Sequence, residues 1–183
     1  MRKRTWLLVG LALWWCLTPV RVWGVSTSAS AAVLMDADTG QVLFDHNGGR
    51  RMLIASTTKI MTALVALERA SPTDVITVKQ EHMTEGSSMY LKEGEILTLQ
   101  ELLYGMMLSS GNDAAVALAE HVAGTTERFK EMMNARVKQM GCVTTEFGNI
   151  SGLDTATSYT TAREMVKITM EVTKNETFAE IFK

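Results

Sequence analysis

Ser56 and Lys59 stand three residues apart in the run Ile54-Ala55-Ser56-Thr57-Thr58-Lys59-Ile60-Met61. On a helix, that spacing puts the hydroxyl and the amine on one face, one turn apart. A serine hydroxyl is a poor nucleophile until a base removes its proton. Lysine can be that base only when neutral. Its ordinary pKa is about 10.4, so burial and nearby positive potential must lower it by several units. The start of a helix supplies such potential and also favours an alkoxide on Ser56. Ile54, Ile60 and Met61 supply an apolar wall. The pattern alone carries little weight, because S-x-x-K is expected by chance in roughly half of chains this long. In isolation Ser56 is an ordinary helix cap and Lys59 a solvated charge.

Ser110-Gly111-Asn112 gives the pair company. It interrupts two apolar helical stretches, at a break where side chains are presented rather than buried. A hydroxyl there can relay a proton to a leaving amine, and an amide can both donate to and accept from a peptide backbone. The plain alternative is a helix–helix turn, since Ser, Gly and Asn are all turn formers.

Other candidates are weaker. His46, His82 and His121 share no spacing with one another or with a serine, although a Ser–His–Asp triad assembles in space and leaves no sequence spacing. His121 late in a helix is explained by the partial negative charge there. Glu81 and Glu85 flank a loop and fit a solvated face. The methionine-rich helices are core by default, and the sequence has no glycine-rich phosphate loop.

The elements that must position these residues are mostly helical. Ala32 to Asp45 predicts a hairpin, with Val33-Leu34-Met35 and Val42-Leu43-Phe44 joined through Asp36-Ala37-Asp38-Thr39-Gly40. A helix is expected from near Ser56, with Ile60, Leu64 and Leu67 on one stripe beside Met61 and Val65. Val75 to Val78 is a short strand candidate, and Glu85-Gly86-Ser87-Ser88 a loop. Thr98 to Glu101 is a capping box opening a helix to about Leu108. Asp113 opens another helix, ending at Gly124, and Thr125 or Thr126 caps the next, which Gly141 stops. Gly148 to Ser158 is a polar loop. Thr161 to Glu164 is a second capping box, leading a helix to about Thr173.

Composition bounds the rest. The chain has 183 residues, 46% of them apolar, which suits one packed domain. Arg2, Lys3, Arg4 and Arg21 fall in the first 24 residues, which hold no acid; the remainder has 14 basic against 20 acidic side chains. An acidic body without a basic cluster argues against nucleic acid as a partner. Residues 1–24 read as a secretory signal: a charged start, an apolar run from Trp6 to Leu17, then Pro19. The run is short of the about 20 residues that a membrane span needs. Cleavage is expected after Gly24, because a site near Ala29-Ser30-Ala31 crowds the first strand. Cys142 is then the one cysteine of the mature chain, so neither an internal disulfide nor a zinc cluster is expected.

Together the two motifs resemble the S-x-x-K plus S-D-N pattern of penicillin-binding proteins and class A β-lactamases. Gly111 in the middle position is the variant of the low-molecular-mass D-alanyl-D-alanine carboxypeptidases. Ala32 to Ala37 with Thr39-Gly40 is similar to that family's opening hairpin, and Ile54 to Leu64 to its nucleophile helix. Gly86-Ser87-Ser88-Met89 resembles its active-site rim. Leu102 to Gly105 through Ser110 to Ala115 resembles its second motif, and Phe147-Gly148-Asn149 with Gly152-Leu153-Asp154 the loop that follows. The similarity runs over about residues 30 to 180.

The resemblance implies an α+β fold of the β-lactamase/DD-peptidase type, in which 25–183 is the N-terminal portion of the catalytic domain: a hairpin plus a helical subdomain. It implies that Ser56 attacks the carbonyl between two D-alanines, Lys59 takes its proton, and Ser110 passes a proton to the departing D-alanine. Asn112 and Ser87 would hold the peptide. The implied substrate is a peptidoglycan stem peptide ending in D-Ala-D-Ala, with β-lactams as covalent inhibitors and no metal or organic cofactor. Action would be outside the cytoplasmic membrane, on the periplasmic or extracellular face of the envelope.

The family's third motif, Lys-Thr-Gly on a strand beside the site, has no counterpart, since no lysine here is followed by Thr-Gly. The resemblance places that strand, most of the antiparallel sheet and the usual C-terminal membrane anchor after residue 183, so the chain is expected to be a C-terminally truncated portion of the enzyme, with its activity in that form left open. That strand would contribute half of the oxyanion hole, and losing one such donor costs about a hundredfold or more. Two alternatives stay open: a β-lactamase, which would need a deacylating Glu-x-x-Leu-Asn that is absent, and a catalytically dead module that binds peptidoglycan peptides.

Overall fold

The computed structural model describes residues 25–153 and 157–181. The expected leader at 1–24 and Asp154 lie outside these residues. Strands β1 (Ala32–Met35) and β2 (Val42–His46) form the predicted antiparallel hairpin, with Val33 opposite Asp45 and Leu34 opposite Phe44. Its turn is closed by Asp36, whose carboxylate accepts from the Thr39 backbone N–H at 2.8 Å and from the Thr39 hydroxyl at 2.6 Å.

Two further ladders formed, of which the sequence offered only the strand at Val75 to Val78 and neither pairing. β3 (Met52–Leu53) pairs with β6 (Tyr159–Thr160), and β4 (Val75–Thr77) pairs with β5 (Ile96–Thr98), both antiparallel. Strands of two or three residues are too short to show alternation. Among the described residues the strands form three separate two-stranded sheets. Leu34 and Leu43 stay more than half exposed on the hairpin, apolar side chains that no described element covers.

Helix α1 (Thr58–Arg69) is the centre of the molecule. Around it pack α2 (Leu99–Leu108), α3 (Asn112–Ala123), α4 (Thr126–Gln139) and α5 (Ala162–Val172), and α5 also lies on β1. The core draws Met61, Leu64, Leu102, Leu103, Met106, Leu118, Phe129, Met133 and Ile168 from these helices. At about 1.5–3 kcal/mol for each large side chain removed from water, this stripe holds α1 in place. The most buried face of α1 runs through Met61, Thr62 and Val65, while Ile60 and Leu67 are only partly buried. The expected stripe was therefore rotated: α1 has neighbours on several sides, and a helix so enclosed shows no single apolar face.

The caps explain the helix starts. Thr98 accepts from the Glu101 N–H at 3.2 Å, while Glu101 accepts from the Thr98 N–H at 2.7 Å, a complete capping box. Thr125 caps α4. At α5 the predicted box is only half made. Thr161 accepts from the Glu164 N–H, but the Glu164 carboxylate turns away to the Thr144 N–H and the Thr145 hydroxyl. It serves a buried polar cluster with Thr160 instead. A short helix, α6 (Glu176–Glu180), follows α5 and was not expected. Among the described residues, no helix is long and apolar enough to cross a membrane.

Candidate active site

Ser56 lies in a tight turn just before α1, two residues outside the helix proper. Successive bonds run from the Thr58 N–H to the Ala55 carbonyl, from Lys59 to Ser56, and from Ile60 to Thr57, at 3.0 to 3.2 Å. These are 3₁₀-type links, and in such a turn side chains at i and i+3 eclipse. Lys59 Nζ accordingly lies 3.3 Å from Ser56 Oγ. Ser56 is exposed, whereas Lys59 is only 2% exposed.

The Lys59 amine has a second anchor: it donates to the Ser151 carbonyl at 2.7 Å. No acid forms an ion pair with it among the described residues. Burial penalises the ammonium form and pulls its pKa from 10.5 to about 8. A usable fraction of the amine is therefore neutral near physiological pH.

The loop that supplies Ser151 is held on α1 once more and is braced within itself. Thr62 donates its hydroxyl proton to the Ile150 carbonyl at 2.6 Å. Asn149 accepts from the N–H groups of Ser151 and Gly152 at 3.1 and 2.6 Å. Gly152 has φ +79°, and a Cβ built there would sit 2.0 Å from the Ala55 carbonyl oxygen. Only glycine lets this loop lie directly against the turn that carries Ser56.

The second motif arrives from the other side. Ser110 donates to Ser56 Oγ at 2.8 Å, across 54 residues of sequence. It sits at φ +54°, a left-handed conformation unusual for a residue with a Cβ. Such a conformation persists only where the surroundings over-determine it, and it clusters at functional sites. Next to it, Gly111 passes so close that a Cβ would meet Asp113 Oδ1 at 2.9 Å and the Met89 nitrogen at 3.3 Å. Asn112 is buried, and its amide donates to the Glu85 carbonyl at 2.8 Å. Its backbone N–H donates to the Ser87 carbonyl, also at 2.8 Å.

Ser56, Lys59 and Ser110 thus form one hydrogen-bonded cluster. Asn112 adjoins it through the backbone of Ser110 and Gly111. Ser87 joins through its carbonyl on Asn112, and its exposed side chain makes no hydrogen bond with the other three. Sequence reasoning did not single out the Ser151 carbonyl, Asn149, or Asp113 as a loop anchor. A backbone carbonyl leaves no residue signature, and Asp113 looks like an ordinary acid at a helix start. The histidines are occupied elsewhere: His46 near Asn47, His82 beside Glu120, and His121 on Asp74 at 3.2 Å. No described group of histidine, cysteine and carboxylate side chains has the geometry to hold a metal ion.

The family model for D-alanyl-D-alanine carboxypeptidases matches residues 19–182. The chain belongs to this family. Over 159 residues it is 37% identical to the D-alanyl-D-alanine carboxypeptidase DacF of Bacillus subtilis, covering 83% of this chain and 41% of that protein. The crystal structure of the carboxypeptidase DacD from Francisella tularensis superposes with a TM-score of 0.81 at 37% identity, over 90% of this chain and 41% of that one. The Streptomyces K15 DD-transpeptidase gives a TM-score of 0.83 at 30% identity, over 87% of this chain and 66% of that one. The α+β fold of the DD-peptidases is therefore that of this chain. The chain spans about two-fifths of the length of the curated carboxypeptidases DacF and DacC that it matches.

Proposed function

We propose that this chain carries the nucleophile half of a serine D-alanyl-D-alanine carboxypeptidase acting on peptidoglycan stem peptides. The observation that carries the proposal is the hydrogen-bonded cluster of Ser56, Lys59 and Ser110, built on a buried lysine with no acidic partner among the described residues.

Ser56 Oγ attacks the carbonyl carbon of the penultimate D-alanine while its proton passes to the neutral Lys59 amine. The tetrahedral intermediate collapses with cleavage of the C–N bond. Ser110, in contact with Ser56 Oγ, gives its hydroxyl proton to the departing amine of the terminal D-alanine and is resupplied by the Lys59 ammonium, which returns to the neutral amine. The penultimate D-alanine remains as an ester on Ser56. Water then attacks that ester while giving a proton to the neutral Lys59 amine, the ester C–O bond breaks, and Lys59 returns that proton to Ser56 Oγ. Asn112 holds the peptide backbone beside the cluster, with Ser87 at the rim. A β-lactam amide would open on Ser56 by the same first step. Family membership supports a place outside the cytoplasmic membrane, with 1–24 as the secretory signal.

The test is incubation with a fluorescent penicillin, with Ser56→Ala in parallel, followed by assay of D-alanine release from a peptide ending in D-Ala-D-Ala. The proposal expects a covalent label that Ser56→Ala lacks. Label in both proteins, or in neither, contradicts it. Label that turns over rapidly, without D-alanine release, would assign a β-lactamase instead.

A further inference from the structure

Asp113 does more than open α3. An acid in the first turn of a helix is favoured by the positive end of the dipole, and that role needs no burial. Asp113 is 1% exposed, and its carboxylate is saturated by a loop 22 to 25 residues earlier. It accepts from the Ser88 hydroxyl at 2.5 Å and from the N–H groups of Met89 and Leu91, each at 3.1 Å. Its one local partner is the Ala114 N–H at 2.9 Å. Burial alone would raise its pKa, but these donors outweigh burial and hold it below the ordinary value, so the carboxylate stays charged.

The loop it holds is the rim of the Ser56 site. Asn112 grips the upstream half, at the carbonyls of Glu85 and Ser87, and Asp113 grips the downstream half. Ser88 Oγ, while donating to Asp113, accepts from the Tyr90 N–H at 2.8 Å. Tyr90 is thereby kept at φ +64°, with the residue 84% exposed. A left-handed tyrosine persists only under such external constraint.

We infer that Asp113 is a positioning residue of the Ser56 site, setting the shape of the rim loop 85–91 and, with it, the placement of Asn112 beside the nucleophile. The inference rests on the proposed role of Ser56. Asp113 touches neither Ser56 nor Lys59; it acts through Ser88, the loop amides and its neighbour Asn112.

The test compares the native chain, Asp113→Asn and Ser88→Ala, plus the double variant, well below their melting temperatures, where circular dichroism shows the helices intact. Two quantities are read: amide exchange at Met89 and Leu91 by NMR, and the second-order rate of labelling by a fluorescent penicillin. In Asp113→Asn the two amides should exchange about tenfold faster or more, while amides in the middle of α1 keep their protection. Labelling should slow by about tenfold to a hundredfold, the usual effect of a small misplacement near a reacting centre. Ser88→Ala should slow it less, and the two changes together should cost less than the product of their separate effects. Unchanged labelling in a folded Asp113→Asn protein overturns the inference, because a merely structural carboxylate alters melting and not the rate of the folded protein. If Asp113→Asn does not fold, labelling in Ser88→Ala at the native rate overturns it. If the native chain takes no label, the Ser56 proposal fails on its own. The exchange data still decide the anchoring: unchanged protection at Met89 and Leu91 overturns it, and lost protection supports it.

Discussion

Lys59 Nζ donates to the Ser151 carbonyl at 2.7 Å, 92 residues further along the chain, while lying 3.3 Å from Ser56 Oγ. One amine therefore fastens a distant loop to α1 and faces the hydroxyl that would lose a proton in the proposed acylation. Its pKa of about 8 comes from burial. If the neutral amine is the base, acylation of Ser56 by a β-lactam should rise about tenfold per pH unit below pH 8 and level off above it. Labelling rates across that range check this. A profile flat from about pH 6 to 10 would exclude Lys59 as the base.

The same shift has a consequence for stability. Unfolded, this lysine titrates near 10.5; folded, near 8. Between those values the unfolded chain binds the proton that the folded chain has released, so stability rises with pH through that window. Below pH 8 the buried ammonium costs up to about 3 kcal/mol. Lys59→Met should therefore be at least as stable as the native chain at pH 7, and the native chain should gain on it up to pH 10.5. Denaturant unfolding at the two pH values measures the difference.

Ser110 is held at φ +54°. Glycine there relieves left-handed strain of about 1 kcal/mol but removes the hydroxyl bonded to Ser56. Ser110→Gly should melt at the same temperature or a few degrees higher, yet react with penicillin about a hundredfold more slowly. A variant both less stable and fully reactive would show that the hydroxyl is structural.

Gly152→Ala drives a methyl into the Ala55 carbonyl at a φ that disfavours a Cβ. The loop must withdraw from the Ser56 turn, taking the Ser151 carbonyl from Lys59. A loss of more than about 1 kcal/mol in denaturant unfolding is expected, with labelling slowed by at least about tenfold.

Thr58 points the other way. Its buried hydroxyl finds no hydrogen-bond partner among the described residues. Thr58→Val keeps the shape and removes the unsatisfied group, so stability should be unchanged or improved by about 1 kcal/mol, with labelling unaffected.

Much of this was legible in the sequence because it was local. The hairpin turn at Asp36 to Gly40, the capping box at Thr98 and the breaks at Ser110 and Gly124 are decided by residues within four positions of one another. Ser56 and Lys59 are equally local, and their partnership with Ser110 was visible only through resemblance. What the sequence hid was non-local or carried by the backbone. The Ser151 carbonyl bears no residue signature. Glu164 looked like half of a capping box and was claimed by Thr144 and Thr145. Asp113 looked like a helix-start acid and was claimed by the rim loop. The β3–β6 ladder, two residues on each side, joins segments more than a hundred residues apart.

The most direct test of the central claim is the mass of the protein after treatment with benzylpenicillin, followed by mapping of the adduct. The account predicts a mass gain of one whole antibiotic, located on Ser56, absent in Ser56→Ala and strongly slowed in Lys59→Met. An adduct on any other residue, or one that forms as fast without Lys59, would contradict it.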